Sequence, residues 1–133
     1  MSSPSVGSVL AQIGWLSLAG AAGTLARFGL SGLVQRAAGG AFPWGTATVN
    51  ALGCFLFGVV WMAAEERLVI SGETRLVILT GFMGAFTTFS TFAFETAALL
   101  RDAQWAAAAV NFAGQNLLGL ALMFAGLAVG RWL

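Results

Sequence analysis

The sequence has very little charge and lacks residue types that most often carry acid–base chemistry. It contains no histidine and no lysine, and charged residues make up 8% of its 133 residues, against about a quarter in a typical soluble domain. Its long apolar segments hold no paired carboxylates and no activated nucleophile, so we expect no enzymatic activity. A net charge of +1 gives no indication of a nucleic-acid or acidic partner.

Cysteine is almost absent as well. Cys54 has no partner in the chain, which excludes an internal disulfide, a paired-thiol site and a cysteine-based metal site. We interpret it as a small hydrophobe within an apolar run.

Apolar side chains, in contrast, make up 59% of the sequence. A chain this short has a large surface for its volume and cannot hide so much apolar area from water. The apolar surface must therefore face lipid, and the sequence predicts an integral membrane protein. Residues 1–23 lack the basic start of a signal peptide, so we interpret them as leading into a retained first span.

Four segments have the roughly 20 mostly apolar residues that a helix needs to cross a bilayer: residues 9–33, 44–64, 76–100 and 105–130. The linkers are short, so we expect residues 1–133 to form a single all-α domain of four transmembrane helices. Four tryptophans lie at predicted helix ends, where their amphipathic rings favour the headgroup level: Trp44, Trp61, Trp105 and Trp132.

The positive charges are divided almost evenly between the two sides of the predicted bundle. The arginines form two groups of three, one for each side: Arg67, Arg75 and Arg131, and Arg36, Arg101 and Arg27. Orientation follows the excess of Lys and Arg on cytoplasmic loops, so this chain has almost no preference. We predict that it inserts both ways and forms an antiparallel homodimer; the alternative is that a weak bias still gives one orientation.

The second span carries a polar face. Thr46, Asn50, Gly53 and Phe57 recur at i, i+4, i+7 and i+11 and therefore share one side of the helix. This pattern predicts either a narrow polar track or an interhelical hydrogen bond beside a close glycine contact.

Other polar residues within the spans also allow more than one structural interpretation. Asn111 and Gln115 lie one turn apart on the fourth helix and either line a path or bond a neighbouring helix. Arg27 either extends to the membrane surface or places a positive charge at the mouth of an anion path. Glu95, near the end of the third span, is interpreted as extending to the surface.

The third span contains an unusual stretch, "GFMGAFTTFSTFAFE", at residues 81–95. Gly81 and Gly84 weaken the helix, and the hydroxyl residues after them can satisfy freed backbone groups. Irregular backbone at membrane depth survives only when it is buried in protein or lines a cavity, and such breaks commonly present carbonyls to a small cation. Beyond the break, Phe89 and Phe92 are three apart and offer ring edges to an anion; the alternative is an aromatic packing stripe.

Three ordered motifs carry a resemblance to a known family. "GAAGTLARF" (20–28), "GTATVNALGCFLFG" (45–58) and "GFMGAFTTFSTF" (81–92) are similar to the first, second and third helix signatures of the Fluc fluoride channels, also called CrcB. The resemblance covers nearly the whole chain. Three positions depart from the family pattern: Phe28 stands where tyrosine is common, Cys54 where a small hydroxyl residue is frequent, and Ala85 where a second glycine is usual.

The resemblance implies an antiparallel, dual-topology homodimer with two fluoride pathways and a structural sodium ion on its two-fold axis. Carried over by position, the backbone carbonyls of Gly84 and Thr87 from both subunits would hold the sodium. Ala85 puts the detailed geometry of that site in doubt.

The resemblance also implies a fluoride pathway. Phe89 and Phe92 would be its paired phenylalanines, and Asn50 would orient both the ion and the rings. The remaining positions that match are hydroxyls along the track, the arginine of the first helix and a polar position of the fourth: Thr46, Ser90, Thr91, Arg27 and Asn111.

We therefore predict a passive fluoride-selective channel in a bacterial-type inner membrane, surrounded by lipid, that exports cytoplasmic fluoride. The alternative is a small dual-topology, proton-coupled multidrug exporter, which needs a titratable carboxylate at the membrane centre. No acidic residue lies centrally in the first, second or fourth span, and Glu95 comes late in the third. A third reading is a structural membrane subunit without transport activity.

Overall fold

The structure, a computed structural model, describes residues 5–67 and 70–132, which are helical apart from short turns. In chain order the segments are α1 (Val6–Ala38), α2 (Trp44–Arg67), α3 (Gly72–Leu76), a π-helical segment (Val77–Met83), α4 (Gly84–Phe86), α5 (Phe89–Arg101) and α6 (Trp105–Gly130). The side chain of Arg67, which the sequence assigns to one membrane side, lies outside the described set.

Four helical stretches are long and apolar enough to cross a membrane: Val6–Ala38, Trp44–Glu65, Gly72–Arg101 and Trp105–Gly130. Each contains one of the spans predicted from the sequence, and the last has the predicted limits at both ends. The chain is therefore a multi-pass membrane protein. Large apolar side chains are exposed on every span, for example Phe28 at 79% and Phe89 at 78%, as expected for a surface that meets lipid or another protein.

The third span is interrupted at Thr87 and Thr88, whose backbone is extended (φ −88°, ψ 160° and φ −150°, ψ 109°). A local interruption therefore lies in the predicted segment, although the span as a whole bends only modestly. Its position corrects the sequence argument, because Gly81 and Gly84 both lie in helical backbone before the break. The helix restarts where Oγ1 of Thr88 accepts the N–H of Thr91 at 3.2 Å, a side-chain cap of α5.

Gly81 serves close packing rather than the break. A Cβ atom at Gly81 would lie 2.9 Å from Cβ of Ala19 and 3.3 Å from the carbonyl oxygen of Leu16, both on α1. On the α1 side, a Cβ atom at Gly23 would collide with the carbonyl of Phe82. The π segment therefore lies close against α1 because glycines stand on both sides of the contact.

α2 and α6 form the most extensive helix pair in the described structure. Their backbones meet at Gly58 on α2 and at Gly126 and Gly130 on α6. A Cβ atom at Gly126 would overlap the carbonyl oxygen of Phe55, and one at Gly130 would lie 2.6 Å from that of Val59. The GxxxG pair of α6 is thus a helix-packing motif.

One ion pair joins the end of α2 to α3. Nη1 of Arg75 lies 2.9 Å from Oε2 of Glu65, and the Arg75 guanidinium stands 4.8 Å from the ring centroid of Trp61. Arg75 therefore combines an ion pair with a cation–π contact, and both contacts link α3 to the C-terminal part of α2.

The glycine contact between α2 and α6 gives a stability prediction. Gly126→Ala should lower the free energy of unfolding by about 1–3 kcal/mol, because the added methyl meets backbone that cannot move aside. Gly114→Ala, on the same helix, is the control: nothing lies within 4 Å of its added Cβ, so it should be neutral or stabilising by about 0.5–1 kcal/mol. Thermal unfolding in detergent measures both, and equal melting temperatures for the two variants would contradict this packing.

Candidate functional site

A cavity of about 310 Å³ opens beside the interruption of the third span. It is bounded by α2, by the residues around the break and by α6. The lining residues that matter below are Asn50, Gly53, Thr88, Phe89, Phe92 and Gln115. None of the charged side chains that the structure describes lines it, so the polar and aromatic groups it offers to a solute are amides, hydroxyls and phenylalanine rings.

Asn50 holds the interrupted backbone in place. Its Oδ1 accepts the N–H of Thr88 at 2.8 Å, and its Nδ2 donates to the carbonyl oxygen of Thr88 at 3.1 Å. The N–H of Thr88, which the break removes from the helical hydrogen bonds, would otherwise lack a partner in a medium without water, where an unsatisfied group is costly. Gly53 on α2 makes room for the break, because a Cβ atom there would overlap the side chain of Thr87.

The two carbonyls assigned to sodium by the family resemblance have lost their usual helical donors. In a continuous helix the carbonyl of Gly84 would accept the N–H of Thr88, and that of Thr87 the N–H of Thr91. Here the Thr88 N–H donates to Asn50 and the Thr91 N–H to the Thr88 side chain. The structure therefore diverts the donors from these two oxygens, and carbonyl oxygens are ligands that a small hard cation accepts. Gly84 is exposed on the surface of the single chain.

Two of the predicted hydroxyls, those of Ser90 and Thr91, meet at Thr88, a residue that was not predicted to belong to the site. Oγ1 of Thr88 donates to Oγ1 of Thr91 at 2.9 Å and lies 3.5 Å from Oγ of Ser90. Ser90 is exposed, whereas Thr88 is 8% exposed. The signal that could have identified Thr88 is its place three residues before Thr91, the spacing of a helix cap.

Phe89 and Phe92 are brought together, but they have different environments. Their ring centroids are 5.6 Å apart and their planes are tilted by 49°. Phe92 is 5% exposed and stacks on Phe112 of α6 at 6.1 Å, while Phe89 is 78% exposed. Both rings line the cavity, so the pair joins a buried ring to one that is open on the surface of the chain.

Arg27 lines a neighbouring cavity of about 270 Å³ together with Thr46, Thr88 and Thr91. This cavity and the first one share Thr88 as a wall. Arg27 is partly buried. Its predicted place at the mouth of an anion path stays a prediction.

Thr46 faces a carboxylate rather than Asn50, although both lie on α2. Its Oγ1 donates to Oε1 of Glu95 at 2.7 Å, and both residues line a third cavity of about 460 Å³. The other oxygen of Glu95, Oε2, is buried and has no hydrogen-bond partner among residues 5–67 and 70–132. The interpretation that Glu95 extends freely to the membrane surface is therefore wrong, because one carboxylate oxygen is bound and the other is enclosed.

The α6 amides bond neighbouring helices, which is one of the two predicted alternatives, and Gln115 also lines the cavity. Gln115 lines the cavity and its Oε1 accepts from Nδ2 of Asn50 at 2.9 Å. Asn111 is completely buried and bonds Gln115 at 2.8 Å and Thr96 at 2.9 Å. The predicted place of Asn111 in the ion pathway stays a prediction. Sequence reasoning did not include Gln115 in the site, although its position one turn after Asn111 indicates a shared face.

Comparison with known proteins places the chain in a family. A family model described as "CrcB-like protein, Camphor Resistance (CrcB)" matches residues 14–127. The chain is 59% identical over 120 residues to a protein of Nitrosococcus oceani, covering 90% of this chain and 96% of the relative. It is 59% identical over 123 residues to one of Solidesulfovibrio magneticus, covering 92% and 98%. It is 60% identical over 116 residues to one of Nitratidesulfovibrio vulgaris strain Miyazaki F, covering 87% and 94%.

Each of these three relatives carries the name "Fluoride-specific ion channel FluC". The matched segment contains all three motifs on which the resemblance rests, at residues 20–28, 45–58 and 81–92. The family predicted from those motifs is thereby confirmed, and the chain belongs to the CrcB family.

Proposed function

We propose that this chain is a passive, fluoride-selective ion channel that lets cytoplasmic fluoride leave the cell across the inner membrane. The observation that carries the proposal is the uncharged cavity at the helix interruption, where amides, hydroxyls and phenylalanine rings meet. The name of the relatives supports fluoride as the ion. Ion channels make and break no covalent bond, which agrees with the expectation of no enzymatic activity.

The chemistry of the cavity suits a small, strongly hydrated anion. N–H and O–H donors replace part of the water that fluoride gives up, and the positive edges of the rings of Phe89 and Phe92 add weak attraction. A cation in the same place would hold fluoride too tightly, because conduction requires that the ion also leave. Arg27 stands in the adjoining cavity instead, where its charge attracts anions towards the Thr88 wall without trapping them at the centre.

The single chain presents this cavity on an apolar surface that a second copy would cover. Phe89 is 78% exposed and Gly84 lies open nearby in sequence, and both belong to the region that the family resemblance assigns to the dimer. The near-absence of a charge bias supports opposite orientations of the two copies. The dimer is therefore proposed as antiparallel, with two pathways.

The residues at the break fit a structural sodium ion. The carbonyls of Gly84 and Thr87 have had their helical donors diverted, and each copy would contribute both. When bound, the cation supplies a positive charge that the carbonyl dipoles of the two chains share. Asn50 and Thr88 act on this site indirectly, because their side chains keep the donors away from these oxygens.

A proton-coupled multidrug exporter remains the second candidate, and Glu95 is the residue that favours it. Its enclosed Oε2 and its place inside the third span are features that a proton-exchanging carboxylate would have. The Thr46 hydroxyl already binds the other oxygen. Transport by purified protein in liposomes separates the two candidates. A channel releases fluoride when an ionophore balances the charge, whereas an exporter moves cationic drugs in exchange for protons.

Two substitutions test the fluoride pathway. Asn50→Ala should reduce fluoride efflux from liposomes at least about tenfold, because it leaves the buried backbone N–H of Thr88 without a partner. Phe89→Ile should also reduce efflux strongly, because it removes the ring edge but keeps the apolar volume. Phe124→Ile is the matched control, since Phe124 is 68% exposed and lines none of the cavities described above. Efflux unchanged in both test variants, with the dimer intact by size-exclusion chromatography, would rule out this pathway.

Orientation can be measured directly. A small tag on either terminus should be accessible from both sides of the inner membrane, in roughly equal amounts, because the arginines give almost no bias. Protease protection in sealed vesicles, before and after permeabilisation, reports the two fractions. A tag accessible from one side only would refute dual topology.

The proposed sodium site predicts the ion content of the purified protein. Protein purified in sodium and washed into N-methylglucamine should retain one sodium ion for each dimer by elemental analysis, and fluoride efflux should depend on that ion. Coordination favours retention, because carbonyl oxygens of both chains would surround the ion. Full efflux from protein that contains no detectable sodium would remove the ion from the proposal.

A further inference from the structure

A chain of side-chain hydrogen bonds leaves the helix interruption and returns to it through two other helices. The N–H of Thr88 donates to Oδ1 of Asn50 at 2.8 Å, and Nδ2 of Asn50 donates to Oε1 of Gln115 at 2.9 Å. Nε2 of Gln115 then donates to Oδ1 of Asn111 at 2.8 Å. We call this series, with the two bonds that follow, the amide relay.

The relay ends on the backbone of α5. Nδ2 of Asn111 donates to Oγ1 of Thr96 at 2.9 Å, and that hydroxyl donates to the carbonyl oxygen of Phe92 at 2.8 Å. The relay therefore begins at the backbone of Thr88 and finishes one turn further along the same segment. It joins α2, α6 and α5 through polar groups alone.

Both ends of the relay have fixed polarity. A backbone N–H such as that of Thr88 can only donate, and a backbone carbonyl such as that of Phe92 can only accept. Every link between them must therefore point the same way, from Thr88 towards Phe92. Reversing one amide would place like groups face to face on both sides of it, so the two ends together select a single orientation for each of the three amides.

Asn50 has no spare hydrogen in this arrangement. Its Nδ2 carries two hydrogens, of which one goes to the carbonyl of Thr88 and the other to Gln115. An anion can gain a hydrogen bond from Asn50 only by replacing one of these acceptors. Because Thr88 offers backbone and Gln115 a flexible side chain, Gln115 is the partner that yields.

We propose that Gln115, Asn111 and Thr96 are positioning residues that hold the Asn50 amide in its clamping orientation and set how readily it releases an N–H to fluoride. Asn111 is completely buried, and Thr96 lines none of the cavities described above, so both act through Asn50 and not by contact with the ion. The part that concerns fluoride rests on the proposed function. The orientation of Asn50 does not.

Thr96→Val tests the relay at its far end. The change keeps the shape of the side chain but removes the acceptor of Asn111, so the hydrogens of the Asn50 amide should exchange with water about tenfold faster. Nuclear magnetic resonance of nitrogen-labelled protein in lipid nanodiscs measures this, with the Asn50 signal identified by its loss in Asn50→Asp. Thr96→Ser retains the hydroxyl and should restore the parent rate.

Two further variants complete the experiment. Gln115→Met breaks the relay next to Asn50 and should disturb the same signal, which keeps the test open if Thr96→Val fails to fold. Ser17→Ala is the matched control, because Oγ of Ser17 donates to the Ile13 carbonyl at 2.8 Å, the back-bond that Thr96 makes, without belonging to the relay. An Asn50 signal unchanged in both Thr96→Val and Gln115→Met overturns the relay.

Fluoride efflux from liposomes supplies the second readout. We expect Thr96→Val to lower efflux about tenfold and Thr96→Ser to restore it. If the parent protein conducts and Thr96→Val conducts equally well despite a disturbed Asn50 signal, the positioning role is refuted. If the parent does not conduct fluoride at all, the proposed function fails, while the resonance data still decide whether the relay orients Asn50.

Discussion

The bidentate contact between Asn50 and the backbone of Thr88 is the interaction on which the site depends. A helix that stops inside a bilayer exposes N–H and C=O groups where water is absent, and each must find a partner in the protein. One amide side chain satisfies both groups of Thr88. The interruption can therefore exist without a wide aqueous opening, and the rings of Phe89 and Phe92 stand next to it in fixed positions.

Close helix contacts bring that amide to the break. Lipid gives helices little hydrophobic reason to associate, so they pack where small residues let backbones approach. Gly23 and Gly81 bring α1 against the π segment, and Gly53 leaves room on α2 for the side chain of Thr87. The glycines of α6 do the same against α2. The polar contacts and the glycine contacts thus support one another, because the former need the short distances that the latter allow.

The sequence predicted those parts of the fold that depend on residues close to one another along the chain. The four spans were predicted from the lengths of the apolar segments. The limits of the last span, at residues 105 and 130, could be predicted correctly because charged residues and tryptophans mark both of its ends. The break was placed in the correct segment but attributed to its glycines, because a sequence does not show that Gly81 faces another helix. Phe89 and Phe92 were paired correctly by spacing, while their unequal burial depends on Phe112 of α6. Contacts between residues far apart in the chain, such as Asn50 with Gln115 and Thr46 with Glu95, could not be predicted, because a sequence does not show which residues of different helices face each other.

The π-helical segment Val77–Met83 has a consequence for how the third span tolerates change. A π turn accommodates about one residue more than an α turn does. A one-residue change of length in the α-helical backbone of α4, between this segment and the break, would rotate everything beyond it by about 100° about the helix axis, carrying Thr88 away from Asn50. Single-residue length changes in α4 are therefore less tolerated than substitutions there, whereas the π segment can lose one residue by returning to α-helix and still keep both halves of the span in phase.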